Sequence, residues 1–256
     1  MKISSLAQFA REKSPAWIFL LILLGAWQLS VDQQWIADYL LPSPHAIVAA
    51  TIDNWSDIYA AMLSTLSSIA WGLGLSCVAG ISLAIVFFVI PILRRALLPF
   101  CIFFQTVPII AIAPLLVIWF GFGAPTVRAS AFIVSLFPIL ANTLTGLQQT
   151  DPLLKELFQL YKPTRWMLIT KLQLPSALPY ILAGLRIGIG LAVIGAIVGE
   201  FIAGGGIGSL IDSARTQQRV DLVLSGVLMS SLLALLLIMA LDIMSRLFMG
   251  KRPYLR

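Results

Sequence analysis

The chain has 256 residues, of which 59% are hydrophobic and only 11% are charged, with a formal net charge of +6. Soluble domains are about 25% charged, so 17 basic and 11 acidic side chains are too few to coat a water-exposed globule; a soluble enzyme or a nucleic-acid-binding domain is excluded in favour of an integral membrane protein. At about 20 apolar residues per crossing, six crossings use about half of the chain and leave only short loops and small surface elements.

Residues 1–14 come first, with Leu6, Phe9 and Ala10 at helical spacing among polar and basic residues, and read as an interfacial segment lying on the membrane surface. The basic start before an apolar run is reminiscent of a signal peptide, but Trp17 to Val31 lacks a small-residue cleavage site, so a retained first helix is expected. Six apolar segments follow at approximately 15–31, 61–90, 96–120, 126–148, 177–202 and 222–249. Between the first two, Leu41-Pro42-Ser43-Pro44 stiffens the chain, and Ile47, Val48, Ile52, Trp55 and Ile58 with Asp53 and Asp57 suggest a helix at the outer interface. His45 beside that turn has no partner ligands and is assigned no role. Pro108, Pro114 and Pro138 interrupt the third and fourth spans, where kinks are expected. Cys77 and Cys101 lie in apolar runs without metal-type spacing, as small hydrophobes rather than a disulfide.

The basic residues sort by side. Lys2, Arg11, Lys13, Arg94, Arg95, Lys155, Lys162, Arg165, Lys171, Arg246, Lys251, Arg252 and Arg256 fall on one side; Arg128, Arg215 and Arg219 fall on the other, and Arg186 lies within the fifth span. The positive-inside rule then places both termini in the cytoplasm, and an odd number of crossings would break the pattern. The resulting organisation is a membrane domain over 15–249, including a cytoplasmic loop at 149–176, and a cytoplasmic tail at 250–256.

That loop carries most of the information. Asp151 is placed to cap a helix whose first residue is Pro152, and Pro163 ends it. Leu154, Leu157, Phe158 and Tyr161 make one apolar stripe, with Lys155, Glu156, Gln159 and Lys162 on other faces. Leu174-Pro175-Ser176-Ala177-Leu178-Pro179 argues against a straight helical approach to the fifth span. The stripe has two readings: a helix resting on the membrane, or a rigid lever whose large side chains dock on a soluble partner.

The run from Glu156, through Tyr161-Lys162-Pro163-Thr164-Arg165-Trp166, to Leu174-Pro175-Ser176-Ala177-Leu178-Pro179-Tyr180 resembles the EAA loop of permease subunits of bacterial ABC importers. Glu156 is kept, Leu157 and Phe158 stand where the family has alanines, and Lys162 stands where it has glycine. The resemblance extends over Leu41-Pro42-Ser43-Pro44, Gln105-Thr106-Val107-Pro108, Ala113-Pro114-Leu115-Leu116, Trp119-Phe120-Gly121-Phe122-Gly123, Gly184-Leu185-Arg186 and Gly199-Glu200-Phe201. These segments are similar to the branch serving nitrate, sulfonates, taurine, bicarbonate and thiamine-precursor pyrimidines.

The resemblance implies an all-α membrane protein with six transmembrane helices, of the type I ABC importer permease kind, with a cytoplasmic coupling helix, in the bacterial inner membrane. It also implies a second permease copy, two cytoplasmic ABC ATPase subunits that use ATP and Mg, an external solute-binding protein, and no cofactor on this chain. Leu154, Leu157, Phe158 and Tyr161 are then the ATPase-docking anchors, with Glu156, Lys162, Thr164 and Arg165 around them.

Within the spans, Gly184, Gly188, Gly195 and Gly199 fall within about 60° on one helix face, either a close-packing seam or a smooth wall of the translocation path. Glu200 and Arg186 are charges near opposite ends of the fifth span, placed to serve a gate or to snorkel. Asp242 and Arg246 read as an i, i+4 pair. Gln105, Asn142, Thr106 and Thr143 either bond between helices or line a polar path, with Gln105, Asn142 and Glu200 taken as pathway or gate candidates. The glycine run 204–208 has no preceding strand and no following Gly-Lys-Ser/Thr, so it is a turn rather than a phosphate cradle. No catalytic or metal cluster is assembled, which counts against a membrane hydrolase. A self-sufficient ion-coupled carrier or channel is the rival reading; it calls for midplane ion ligands and often an internal repeat, and neither is clear.

Overall fold

A computed structural model describes residues 3–249. These residues form helices and no strand: α1 (Ile3–Asp32), α2 (Pro44–Asp53), α3 (Trp55–Val89), α4 (Pro91–Thr106), α5 (Ile109–Phe120), α6 (Ala124–Gln148), α7 (Pro152–Gln159), α8 (Arg165–Leu168), a π turn over Ile169–Gln173, α9 (Leu174–Ser176), α10 (Leu178–Ala203), α11 (Gly206–Thr216) and α12 (Val220–Met249). Four of them, α3, α6, α10 and α12, are long and apolar enough to cross a membrane.

α6 is the centre, because glycines on both neighbours let backbones approach it. A Cβ added at Gly184 would meet Asn142 Cβ at 2.9 Å and the Pro138 carbonyl at 3.0 Å; at Gly199 it would meet Val127 Cα at 3.0 Å. On α3, a Cβ at Gly72 would meet Ala131 Cβ at 2.7 Å, and one at Gly80 would meet Ile139 Cγ2 at 3.0 Å. Ile69, Val127, Ala131, Ala192 and Ala196 fill the space between the three helices. Ser135 Oγ donates to Ser76 Oγ (2.7 Å) and Ser76 Oγ to the Phe132 carbonyl (2.8 Å), bonds that have no competing water inside a bilayer.

These pairings fix direction. Along the α6–α10 seam rising numbers meet falling ones, so the two helices are antiparallel; along α3–α6 both numbers rise, so those two are parallel. The chain between α3 and α6 must therefore cross back, and α4 with α5 is that crossing. It is bent by 101°. The interruption expected at Pro108 in the 96–120 span is present, as a sharp break rather than a mild kink. Val107 is extended (ψ 123°) because the Pro108 ring excludes the helical conformation from the residue before it. At Pro114 and Pro138 the helix continues through the proline.

Other differences are local. α1 runs without a break through Pro15, so the expected surface segment at 1–14 is not set off from the first apolar run over the residues described; Met1 and Lys2, and the tail at 250–256, lie outside them. The interfacial helix ends at Asp53, and Trp55 and Ile58 belong to α3. The proline-rich approach to the fifth span stays wound: the Leu174 N–H reaches back five residues to the Ile169 carbonyl, and this wider turn accommodates Pro175. Cys77 and Cys101 are free and half-buried.

Candidate functional site: the loop helix and the helix seams

α7 begins as its sequence dictates. The Asp151 carboxylate accepts the Leu153 N–H at 2.8 Å, and Pro152 fills the first helical position. It ends at Gln159, short of the expected Lys162, and the chain turns through Lys162 at φ +47°. The position where the resembled family has glycine is thus left-handed in this chain, and a lysine adopts it. Thr164 is the cap of α8, accepting the Met167 N–H at 3.2 Å.

No residue of α7 is buried. Leu154, Leu157 and Tyr161 are exposed, Tyr161 by 83%, whereas Phe158 is half-buried against the protein. Glu156, Lys162 and Arg165 are exposed around them. The sequence stripe omitted Leu153, Leu160 and Trp166, which are also large exposed apolar side chains of this loop. Leu153, Leu157 and Leu160 themselves fall at i, i+4 and i+7, a signal present in the sequence but overshadowed by the stripe through Phe158.

The three pathway candidates are not brought together. Gln105 lies beside the α4–α5 break, on a cavity of about 440 Å³ with Phe104, Trp119 and Phe137. Asn142 lies on the α6–α10 seam, its Nδ2 donating to the Pro138 carbonyl at 2.8 Å and its Cβ against Gly184. Glu200 is at the far end of α10 and only 1% exposed. Its Oε1 accepts the Thr65 hydroxyl (2.7 Å) and its Oε2 the Gly208 N–H (2.8 Å), while Thr65 Oγ1 accepts the Ile207 N–H (2.9 Å). Gly184, Gly188, Gly195 and Gly199 all face α6. Arg186 pairs with Asp242 on α12, which corrects the expected Asp242–Arg246 pair: the partner is 56 residues away in sequence and adjacent in space. Among the described residues no group of His, Cys, Asp and Glu is placed to hold a metal.

The architecture is a set of tightly seamed apolar crossings with a small uncovered apolar helix at one end. Residues 76–251 match the family described as the binding-protein-dependent transport system inner membrane component, and the chain belongs to that family. It is similar to the formylaminopyrimidine transport permease protein ThiX of Halalkalibacterium halodurans, at 39% identity over 86% of this chain and 88% of that one. It is 31% identical to the riboflavin transport system permease protein RibX of Chloroflexus aurantiacus, over 96% of this chain and 93% of that one. With the taurine transport system permease protein TauC of Escherichia coli it shares 28% over 89% and 86%. The chain is accordingly a permease subunit of an ABC importer.

Proposed function

We propose that α7 is the coupling helix on which a cytoplasmic ATPase subunit docks. The observation that carries this is the uncovered apolar surface of Leu154 and Leu157, on a helix already capped and folded by its own residues, and of Tyr161 in the turn that follows it. Half-buried Phe158 completes the docking stripe from below, and Glu156, Lys162, Thr164 and Arg165 form the polar rim of the contact. Arg94, Arg95, Lys155, Lys171 and Arg246 lie at the same end of the crossings, which supports placing this end and both termini in the cytoplasm of the bacterial inner membrane. α1 supplies the sixth crossing, a second copy of this chain completes the pathway, and an external binding protein delivers the solute. ATP and Mg are used by the ATPase partner alone.

The solute we infer is a small planar heterocycle of the pyrimidine or vitamin-precursor class. The cavity at the α4–α5 break offers aromatic rings and the Gln105 carboxamide, and no charged side chain lines it. A sulfonate or nitrate would require a cationic or multiply hydrogen-bonding wall there. The names of the relatives ThiX and RibX point the same way.

The docking reading is tested by Leu157→Asp with Tyr161→Asp in the assembled transporter. Uptake and the stimulated ATP hydrolysis are expected to vanish while insertion and thermal unfolding of the permease stay unchanged; normal uptake rejects it. Uptake by this chain alone in proteoliposomes, without ATPase or nucleotide, would instead establish an ion-coupled carrier.

A further inference from the structure

The joint between α10 and α11 is made of three glycines in left-handed or related conformations, Gly204, Gly205 and Gly206, with φ of +82°, +86° and +65°. Such a run has no side chains to stiffen it and, alone, would leave α11 free to swivel. Beside it lies a cavity of about 300 Å³ bounded by Ser64, Ser68, Gly123, Gly204 and Gly205, so there is room for that motion. Glu200 borders the same cavity.

We infer that Glu200 and Thr65 are positioning residues that form a latch, fastening the first turn of α11 to α10 and α3 so that α11 moves with them as one piece during transport. The inference rests on the chain's membership of the permease family and is independent of which face docks the ATPase. A helix start leaves its first N–H groups without partners inside the helix. Here the free N–H groups of Ile207 and Gly208 are taken by side chains from two other helices, Thr65 Oγ1 and Glu200 Oε2, and these two side chains are bonded to each other. One carboxylate thus ties three helices. Gly206 is required twice, for its φ and because any Cβ there would collide with the Glu200 carboxylate and Thr65 Oγ1. The amide of Gly123 adds a further tie, donating to the Ala203 carbonyl at 2.8 Å, so the end of α10 to which the latch is fixed is itself held.

The test uses the complete transporter in nanodiscs, with Cys77 and Cys101 replaced by serine and spin labels at Ser56→Cys on α3 and Ser213→Cys on α11, both exposed positions. Wild type is expected to give a narrow distance distribution, and Glu200→Ala a broad one. Uptake by Glu200→Ala should fall about tenfold or more while basal ATP hydrolysis per assembled complex persists. Glu200→Gln keeps an acceptor for Gly208 and a donor toward Thr65, so it should restore the narrow distribution and most of the uptake. Thr65→Val removes the hydroxyl at nearly constant volume and should broaden the distribution even if Glu200→Ala fails to assemble. A purely structural role would lower the yield and scale uptake and basal hydrolysis together, with unchanged distances in the assembled fraction; that result, or wild-type distances in both Glu200→Ala and Thr65→Val, overturns the latch.

Discussion

α7 and α11 are short amphipathic helices at opposite ends of the antiparallel α6–α10 pair, about 39 Å apart if the 26 residues of α10 rise 1.5 Å each, and they are held in opposite ways. α7 is capped by the residue immediately before it and buries nothing. α11 is capped by side chains 135 positions apart in sequence and buries Ile207, Ile211 and Ala214. A helix folded by local bonds keeps its apolar surface for another molecule; a helix folded by tertiary bonds has committed its surface to its own chain. The uncovered surface of α7 therefore suits the handle proposed for it, whereas α11 is packed into its own chain.

The link between the two ends is the α6–α10 seam, and breaking it should have the largest effect. At Gly195 an added Cβ would lie 2.8 Å from the Ser130 carbonyl and 3.1 Å from Ala131 Cα, backbone atoms that cannot rotate away. Gly195→Leu is expected to cost about 3 kcal/mol or more, read as loss of monodisperse protein in detergent, whereas Gly190→Leu, with nothing within 4 Å, should leave the yield unchanged. Next in size is a matched pair on the two short helices. Ile211→Ala opens a hole beneath α11 and should destabilise the permease by about 2 kcal/mol; Leu157→Ala on exposed α7 should stay within about 0.5 kcal/mol. Equal losses in thermal unfolding would erase the distinction between the two helices.

The two ends were also unequally legible in the sequence. Asp151-Pro152 is a contiguous start signal, and it specified the beginning of α7 because cap and helix are neighbours. The start of α11 carries no such signal: Glu200 reads as a charge in a span and the glycines as a turn, and only folding makes them one structure. Asp242 likewise had a plausible partner four residues away in Arg246, while the true one, Arg186, is on another helix. Pro108, Pro114 and Pro138 look alike in sequence. Pro138 is buried and its helix runs on, but Pro114 is as exposed as Pro108 and its helix also runs on, so exposure alone does not select the proline at which the chain breaks. Long apolar runs and local caps are properties of the chain; which proline bends and which ion pairs form are properties of packing.

Local capping makes a smaller prediction at α7. Asp151→Ala removes the acceptor of the Leu153 N–H and should cost the helix about 1 kcal/mol. Since α7 is exposed, the effect should be confined to faster hydrogen exchange over 152–159, with the unfolding temperature of the membrane domain unchanged.

The smallest expected effect has the opposite sign. Lys162 holds φ +47° at the end of α7, a conformation that costs a residue with a Cβ roughly 1 kcal/mol and glycine almost nothing. Glycine also loses more freedom on folding, by about 0.5–1 kcal/mol, so Lys162→Gly should tighten the turn by no more than a few tenths of a kcal/mol, read as slower amide exchange at 159–163. Lys162→Ala removes the same charge and keeps the strained φ. If the ammonium group belongs to the docking rim, both variants should lose uptake to a similar extent although only Lys162→Gly relieves the φ. If the lysine is only a tolerated replacement for glycine, Lys162→Gly should transport at least as well as wild type, and α7 would then act through its apolar face alone.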